Sequence, residues 1–516
     1  MRKFIGIILI LTSSYGAVAQ LGMSPLIPGH TPLVRDHIAK QKTTQQTACW
    51  PFILPADELD SLADADTKNW TRKEYEKWVM RKLRNEHLIE IREPDFSLNL
   101  DAGFNLEGAR QLDDQGRRMY TNTRGIQVTG TVGKRVFFGS SFYENQSIFP
   151  NYLDSIVSKR GDFNNEADPE RGSVPGYGRW KPFNTSDSYD YDYTLGTGYV
   201  GVALGKRSFI QLGHDKQFIG YGHRSLFLSD VSAPYPFLRT HLSFFEGKLT
   251  YSETWAVLQS LERIAPNYND KEAMFRRLGG RFSYLHFQAT SWLGLGFFNG
   301  TTWKWRDNNH PSDISFYMPL GGVYAPSGTR NQLSGLNAEV RPISWLSMYG
   351  QFGMNHRGGE LAQLGLRVAD LIPGLNVRLE YNRIGNNAYF NELGNNLVIQ
   401  EPFLMTDALD YYQHNDQGLG HPFLVNVNEV LVHMRYRWRD FFASGVYHNF
   451  NRVTSYGQTG IDLFQFEAGY IINPRSNAQI VIGNINRTER RATTSSLDTY
   501  NYFAFRTQLF NTYRDF

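Results

Sequence analysis

Phe96 to Leu106 alternates without a break. Phe96, Leu98, Leu100, Ala102, Phe104 and Leu106 fall on one side, and Ser97, Asn99, Asp101, Gly103 and Asn105 on the other. A period of two predicts a strand with one apolar and one polar face. Val430, Val432, Met434, Tyr436 and Trp438 oppose Leu431, His433, Arg435 and Arg437 in the same way. So do Leu375, Val377, Leu379 and Tyr381 against Asn376, Arg378, Glu380 and Asn382. Phe464, Phe466, Ala468 and Tyr470 oppose Gln465, Glu467 and Gly469. Roughly 18 such segments run from Phe96 to the C-terminus, most of about the 9–11 residues that a tilted membrane strand needs.

The connectors alternate in length. Gly133-Lys134-Arg135, Gly205-Lys206-Arg207, Glu246-Gly247-Lys248 and Arg439-Asp440 read as tight hairpins. Between them lie polar stretches read as long loops: Glu107–Arg124, Glu144–Asp192, Lys216–Phe237, Gly300–Gln332 and Ile384–Val427. Short turns on one side and long loops on the other are the habit of outer-membrane barrels. The fold class expected is all-β: a transmembrane antiparallel β-barrel of about 18 strands over 94–516, with a small N-terminal helical extension. A large soluble β-protein, a propeller or double sandwich, is the bland alternative.

The first residues set the compartment. Arg2 and Lys3, the apolar run Phe4 to Leu11, and Ala17-Val18-Ala19 read as a cleaved signal peptide over 1–19, with Gln20 as the mature start. No later run approaches the ~18 apolar residues of a membrane helix, so any span has to be β. The expected location is therefore the outer membrane of a diderm bacterium. An even strand number puts both ends of the barrel in the periplasm. Residues 20–93 would then form a periplasmic extension. Pro25, Pro28, Pro32, Pro51 and Pro55 keep its first part irregular. Thr71 and Glu74 read as a capping box that opens a helix to about His87, with Tyr75, Trp78, Val79 and Leu83 on one stripe. That stripe is read first as packing on the barrel rim, and second as a plug or a dock for periplasmic proteins. Phe516 ends the chain with the aromatic that such barrels often carry.

Composition narrows the picture. The 516 residues include 29 Tyr, 35 Phe and 47 Gly, a mix that suits short amphipathic strands. Lys+Arg 53 against Asp+Glu 50 gives a net charge of +3, too little for a global field that would attract nucleic acid. The single cysteine, Cys49, excludes an internal disulfide framework and a cysteine zinc site. Gly196-Thr197-Gly198-Tyr199-Val200-Gly201 matches a dinucleotide fingerprint, but it lies in a strand with no following helix and reads as small residues in a barrel wall. His223 and Ser225 invite an esterase reading that lacks a placed third group and oxyanion donors. The run Asp162, Asn164, Glu166, Asp168, Glu170 lacks the spacing of a Ca²⁺ loop. No enzyme, cofactor or metal is expected.

The aromatic loops carry the binding reading. Tyr177 and Trp180, Trp303-Lys304-Trp305-Arg306, and Tyr411-Tyr412 set ring faces beside polar and charged groups. Such faces pack on the C–H surface of a sugar while its hydroxyls find partners, and Arg or Lys suits acidic sugars. The competing use of these aromatics is the interfacial girdle.

One block is more specific. Gly220-Tyr221-Gly222, then Arg224-Ser225-Leu226, then Ser229-Asp230, then Ala233-Pro234-Tyr235-Pro236, resembles the Wzi family of outer-membrane capsule-assembly proteins. Tyr120-Thr121-Asn122-Thr123-Arg124-Gly125 and the terminal Leu509 to Phe516 look closest to its gliding-motility branch, RemB. The resemblance implies an 18-stranded barrel with an occluded lumen and a lectin-like role, holding capsular or exopolysaccharide at the cell surface. The block also has a structural reading. Gly220 and Gly222 permit tight or positive-φ backbone, Pro234 and Pro236 stiffen the return, and Arg224 and Asp230 can pair in the lumen. The loop is expected to fold inward and close the barrel. Three functions follow: a polysaccharide anchor; a component of gliding motility or surface adhesion that binds periplasmic or motility proteins through 20–93; and a diffusion porin, which needs an open lumen.

Overall fold

A computed structural model describes residues 21–24, 47–55, 73–112, 116–159, 172–183, 190–263, 275–304, 330–390, 412–454, 457–507 and 513–515. Eighteen antiparallel strands close into a barrel. They are β1 (Phe96–Gln111), β2 (Arg118–Val132), β3 (Val136–Ile148), β4 (Tyr191–Ala203), β5 (Phe209–Asp215), β6 (Tyr235–Phe244), β7 (Leu249–Arg263), β8 (Phe275–Gln288) and β9 (Leu293–Lys304). The second half is β10 (Arg330–Ile343), β11 (Leu346–Asn355), β12 (Glu360–Ala369), β13 (Leu375–Ile384), β14 (Val427–Trp438), β15 (Phe441–Thr454), β16 (Gly457–Asn473), β17 (Ala478–Arg491) and β18 (Ser495–Thr507). Each strand pairs with its sequence neighbours. The ring closes where β18 meets β1, from Tyr500 opposite Gln111 to Arg506 opposite Asn105.

Every alternating segment read from the sequence has its strand. The apolar parity faces outward: Leu364 is 69% exposed, Ile482 58%, Phe503 54% and Met434 51%. The opposite parity is polar and buried, with Gln363, Glu380, Asn382 and Glu429 at 1% exposure or less. A soluble sheet protein buries its apolar face; here that face forms an outer belt, and burial belongs to the lumen. This polarity rules out the propeller and the sandwich and suits a wall immersed in lipid. The stretch Glu107–Arg124, read as a long loop, is mostly wall. β1 runs to Gln111 and β2 starts at Arg118, because lumen-facing polar residues in a long strand look like loop.

The lumen is filled among the described residues. The loop after β5 folds inward, as expected, and carries Tyr221, Leu226, Phe227 and Leu228 into a core. Tyr389, Tyr412, Leu419 and Phe423, from the connection after β13, complete it against Phe282, Phe298, Leu333 and Leu361 of the wall. Polar wall residues hold the loop's backbone. Gln351 receives the Leu226 N–H at 2.8 Å and donates to the Ile219 carbonyl at 3.0 Å. Glu380 receives the N–H groups of His223 and Arg224 at 2.8 and 3.1 Å.

The 20–93 stretch is not one external extension. Thr47 to Ile53 lies buried in the lumen near the short-turn end, and Cys49–Trp50 pairs with Phe218–Ile219 of the inward loop. Burial pushes the Cys49 thiol up to about 12. The N-terminal helix is shorter than the capping box implied. It is α1 (Trp78–Arg84), with Lys77 at its N-cap and no side-chain cap; Thr71 lies outside the described residues. Its apolar stripe does not pack on the rim, since Trp78, Val79 and Leu83 are 61%, 63% and 49% exposed. Polar bonds at its C-terminal end hold it instead. Arg84 donates to the Tyr470 hydroxyl at 2.5 Å, and Asn473 donates to the carbonyls of Lys82 and Glu86, each at 2.9 Å.

Candidate functional site

Among the described residues, a recess lies beside the packed lumen, at the seam where β18 meets β1. Its cavity volume is about 100 Å³, and it opens to solvent on one side. Tyr143, Tyr193 and Tyr500 reach it from β3, β4 and β18, and Tyr120, on the outward parity of β2, borders it. Tyr177 enters from the β3–β4 connection and Tyr513 from the C-terminal tail. Alternation builds the wall side. Tyr143 and Tyr193 share the inward parity with Asn145, Ser147 and Tyr191, and barrel curvature gathers them.

The opposite side is supplied by segments that return. α2 (Asn151–Lys159), in the β3–β4 connection, docks through Asp154, which accepts from the Tyr191 hydroxyl at 2.5 Å and pairs with Arg117 at 3.1 Å. The tail after β18 turns back into the lumen. There Arg514 pairs with Glu107 of β1, and the Tyr513 hydroxyl donates to Asp230 at 2.6 Å. Arg224 does not pair with Asp230 as expected. It is fully buried and contacts Asp515 at 2.8 Å and Glu429 at 3.3 Å. The tail occupies the place of the expected partner, while Asp230 accepts from Tyr513 and its carbonyl accepts from Lys216 Nζ at 3.2 Å.

The electrostatics keep the recess phenols neutral. Burial pushes the Tyr177 and Tyr513 hydroxyls well above their ordinary value. Burial would lower Arg514, but the Glu107 carboxylate beside it raises it well above its usual range. For Asp515 burial acts upward and is outweighed by Arg224 and His448, which hold the carboxyl below the usual range. Neutral phenols both donate and accept. A wall of them beside carboxamide, hydroxyl and guanidinium groups can receive a ligand with apolar C–H faces and many hydroxyls.

The sequence-derived candidates scatter. Tyr177 lines the recess, its ring edge-on to Tyr193 at 4.9 Å. Trp180 is only 3% exposed, edge-on to Tyr191 at 4.8 Å, and backs the recess without entering it. Tyr412 is fully buried and stacks on Tyr389 in the lumen core, so it offers no ring face to a ligand. Trp303 lies on β9, half-buried over Gly279 of β8; Lys304 ends that strand. Trp305, Arg306, Tyr411 and the Asp162–Glu170 run lie outside the described residues. Ser225 is occupied structurally: its hydroxyl donates to the Ile219 carbonyl and accepts from the N–H groups of Phe227 and Leu228. Ser229 is buried and its N–H donates to the Leu419 carbonyl at 2.7 Å. Pro234 and Pro236 lead into β6, where Pro236 sits opposite His214.

Gly220 and Gly222 have no positive φ. Their need is space: a Cβ on Gly222 would lie 2.4 Å from Glu380 Oε2, and one on Gly220 2.9 Å from Gln351 Nε2. Sequence reasoning missed Tyr120, Tyr143, Tyr193, Tyr500, Tyr513, Glu107 and Arg514 as one site. The inward parity of Tyr143, Tyr193 and Tyr500 was readable; their convergence was not.

Neither a protein-family model nor a curated protein matches the sequence. Solved structures do. Wzi of Escherichia coli, an outer-membrane protein involved in group 1 capsule assembly and a carbohydrate-binding β-barrel, aligns with a TM-score of 0.55 at 11% identity, over 95% of this chain and 100% of Wzi. OprD from Pseudomonas aeruginosa aligns at 0.41 and 11% identity over 81% of this chain and 96% of its own. OccAB2 of Acinetobacter baumannii aligns at 0.43 and 8% identity over 80% and 97%. The fold is that of a Wzi-like outer-membrane barrel.

Proposed function

We propose that this protein is a non-enzymatic, lectin-like barrel of the outer membrane that holds capsular or exopolysaccharide at the cell surface. The observation that carries the reading is the tyrosine-walled recess with Glu107 and Arg514 at its edge, in a lumen otherwise packed with side chains. Stacking faces, neutral phenols and a guanidinium are what a saccharide needs, and many weak contacts along one polymer add up to retention. The carbohydrate binding of Wzi, a barrel of the same fold, supports it. The packed lumen counts against a diffusion porin. The test is the ratio of cell-bound to released surface polysaccharide in a deletion strain complemented with wild type, Tyr120→Ala or Tyr177→Ala. The expected outcome is polymer shifted to the medium at constant total yield for the deletion and, in part, for both variants. An unchanged ratio in the deletion strain overturns the reading.

A second reading has its own observation. Trp78, Val79 and Leu83 of α1 stay exposed beside basic Arg81 and Lys82, which suits docking of a protein partner in gliding or adhesion, the role implied by a RemB likeness. Crosslinking from Trp78 in cells separates the two: a specific protein adduct, with unchanged polymer retention, favours the second.

A further inference from the structure

Three side chains from separate parts of the chain converge in mid-lumen: His223 of the inward loop, His448 of β15 and Asp515 of the C-terminal tail. Their donor atoms all lie within 4.8 Å of one another. Asp515 Oδ2 is 3.2 Å from His448 Nε2 and 3.5 Å from His223 Nε2. Tetrahedral zinc, with bonds of about 2.0–2.1 Å, sets neighbouring ligand atoms about 3.3–3.4 Å apart, so both separations match an edge of its coordination polyhedron.

The proton inventory points the same way. His448 Nδ1 lies 3.2 Å from Glu429 Oε1, so each nitrogen of this ring faces a carboxylate. A neutral imidazole has one N–H. Given to Glu429, that proton leaves Nε2 facing Asp515 with lone pair against lone pair, an opposition that a bound cation or a second ring proton relieves. No well-aligned hydrogen bond satisfies His448 Nε2 or Asp515 Oδ1, and the His448, Asp515 and His223 side chains are 4%, 9% and 21% exposed. Asp515 and Glu429 are both met by the Arg224 guanidinium, and Glu429 also by His421 Nε2 at 2.9 Å.

We propose that His223, His448 and Asp515 bind a divalent cation of the zinc class, with Glu429 fixing the His448 tautomer and Arg224 orienting Asp515 as outer partners. The site pins the inward loop, the wall and the tail at one point. The tail carries Tyr513 and Arg514, so the ion also fixes one side of the recess. This assignment does not depend on what the recess binds.

The full chain, refolded in detergent and stripped with chelator, is dialysed against Zn²⁺ alone and its metal content measured. Co²⁺ alone then reports geometry through its visible absorption. About one zinc per chain is expected, with a tetrahedral Co²⁺ spectrum, and His223→Gln and His448→Gln should each weaken binding at least about tenfold. Heat-dependent gel mobility identifies variants that have folded, and the isosteric Asp515→Asn stands in for any that has not. Zinc content no higher in wild type than in the folded variants, or the lack of a tetrahedral Co²⁺ spectrum, overturns the proposal and leaves an imidazolium at His448.

Discussion

Arg224 shows how a polar residue is committed to the lumen. Its side chain has no exposed surface, and its charge is met by Asp515 and Glu429. Burial alone would lower its pKa; the two carboxylates reverse that and raise it. Removing one member of a buried ion group leaves the others uncompensated, so Arg224→Leu should destabilise the folded barrel by about 3–5 kcal/mol, read from urea unfolding in detergent. His414 gives a pH prediction. Its Nδ1 accepts from the Gln259 N–H at 3.2 Å, so the ring proton sits on Nε2, 3.1 Å from the Pro234 carbonyl. Burial, outweighing that carbonyl bond, pushes its pKa from 6.5 down to about 3. A depressed pKa means that the unfolded state binds more protons. The contribution to stability is therefore present above the unfolded pKa and lost as pH falls from 6.5 toward 3. Amide exchange around residues 412–419, corrected for intrinsic rate, should accelerate across that window, and His414→Gln should flatten the dependence.

At the scale of elements, the period of two decides which substitutions a strand tolerates. On β12, Leu364 faces outward and Gln363 inward, where Gln363 donates to the Arg224 carbonyl at 3.0 Å. An arginine on the lipid face near the midplane costs about 2–4 kcal/mol, so Leu364→Arg should lower the unfolding free energy in vesicles by that amount. In α1 the exposed Trp78 contributes little to packing. Trp78→Ala should shift barrel stability by no more than about 0.5 kcal/mol in the same assay. The sequence located the helix but misjudged its docking face, because an apolar stripe states that something can cover it, not what does. Gly222 shows a similar limit. Its presence suggested unusual backbone, whereas the structure needs room for the Glu380 carboxylate.

At the scale of the whole molecule, the described residues form a barrel whose own inward segments fill its lumen. Phe227 stacks on wall residue Phe298 at 4.9 Å, and the loop that carries it also pairs with Cys49–Trp50 from the N-terminal segment. Full-length protein should give no steady conductance in planar bilayers, while deletion of residues 218–232 should open a channel. A stable pore in the wild type would mean that the loops leave the lumen.

The alternation of Phe96 to Leu106, and its repeats to β18, was enough to determine strand number, outward face and all-β class. The pleat sends successive side chains to opposite sides, so a local pattern carries that information by itself. The tight turns at Gly133 to Arg135 and Arg439-Asp440 were legible for the same local reason. Only the tertiary structure decided where the long segments go. Arg224 and Asp230 looked like partners because they are close in sequence, and Asp515 took Arg224 because the tail re-enters the lumen. The recess needs Glu107 beside Arg514 and Tyr500 of the last strand next to the end of the first. Those neighbours exist because the last strand closes on the first, and no pattern within either strand records that meeting.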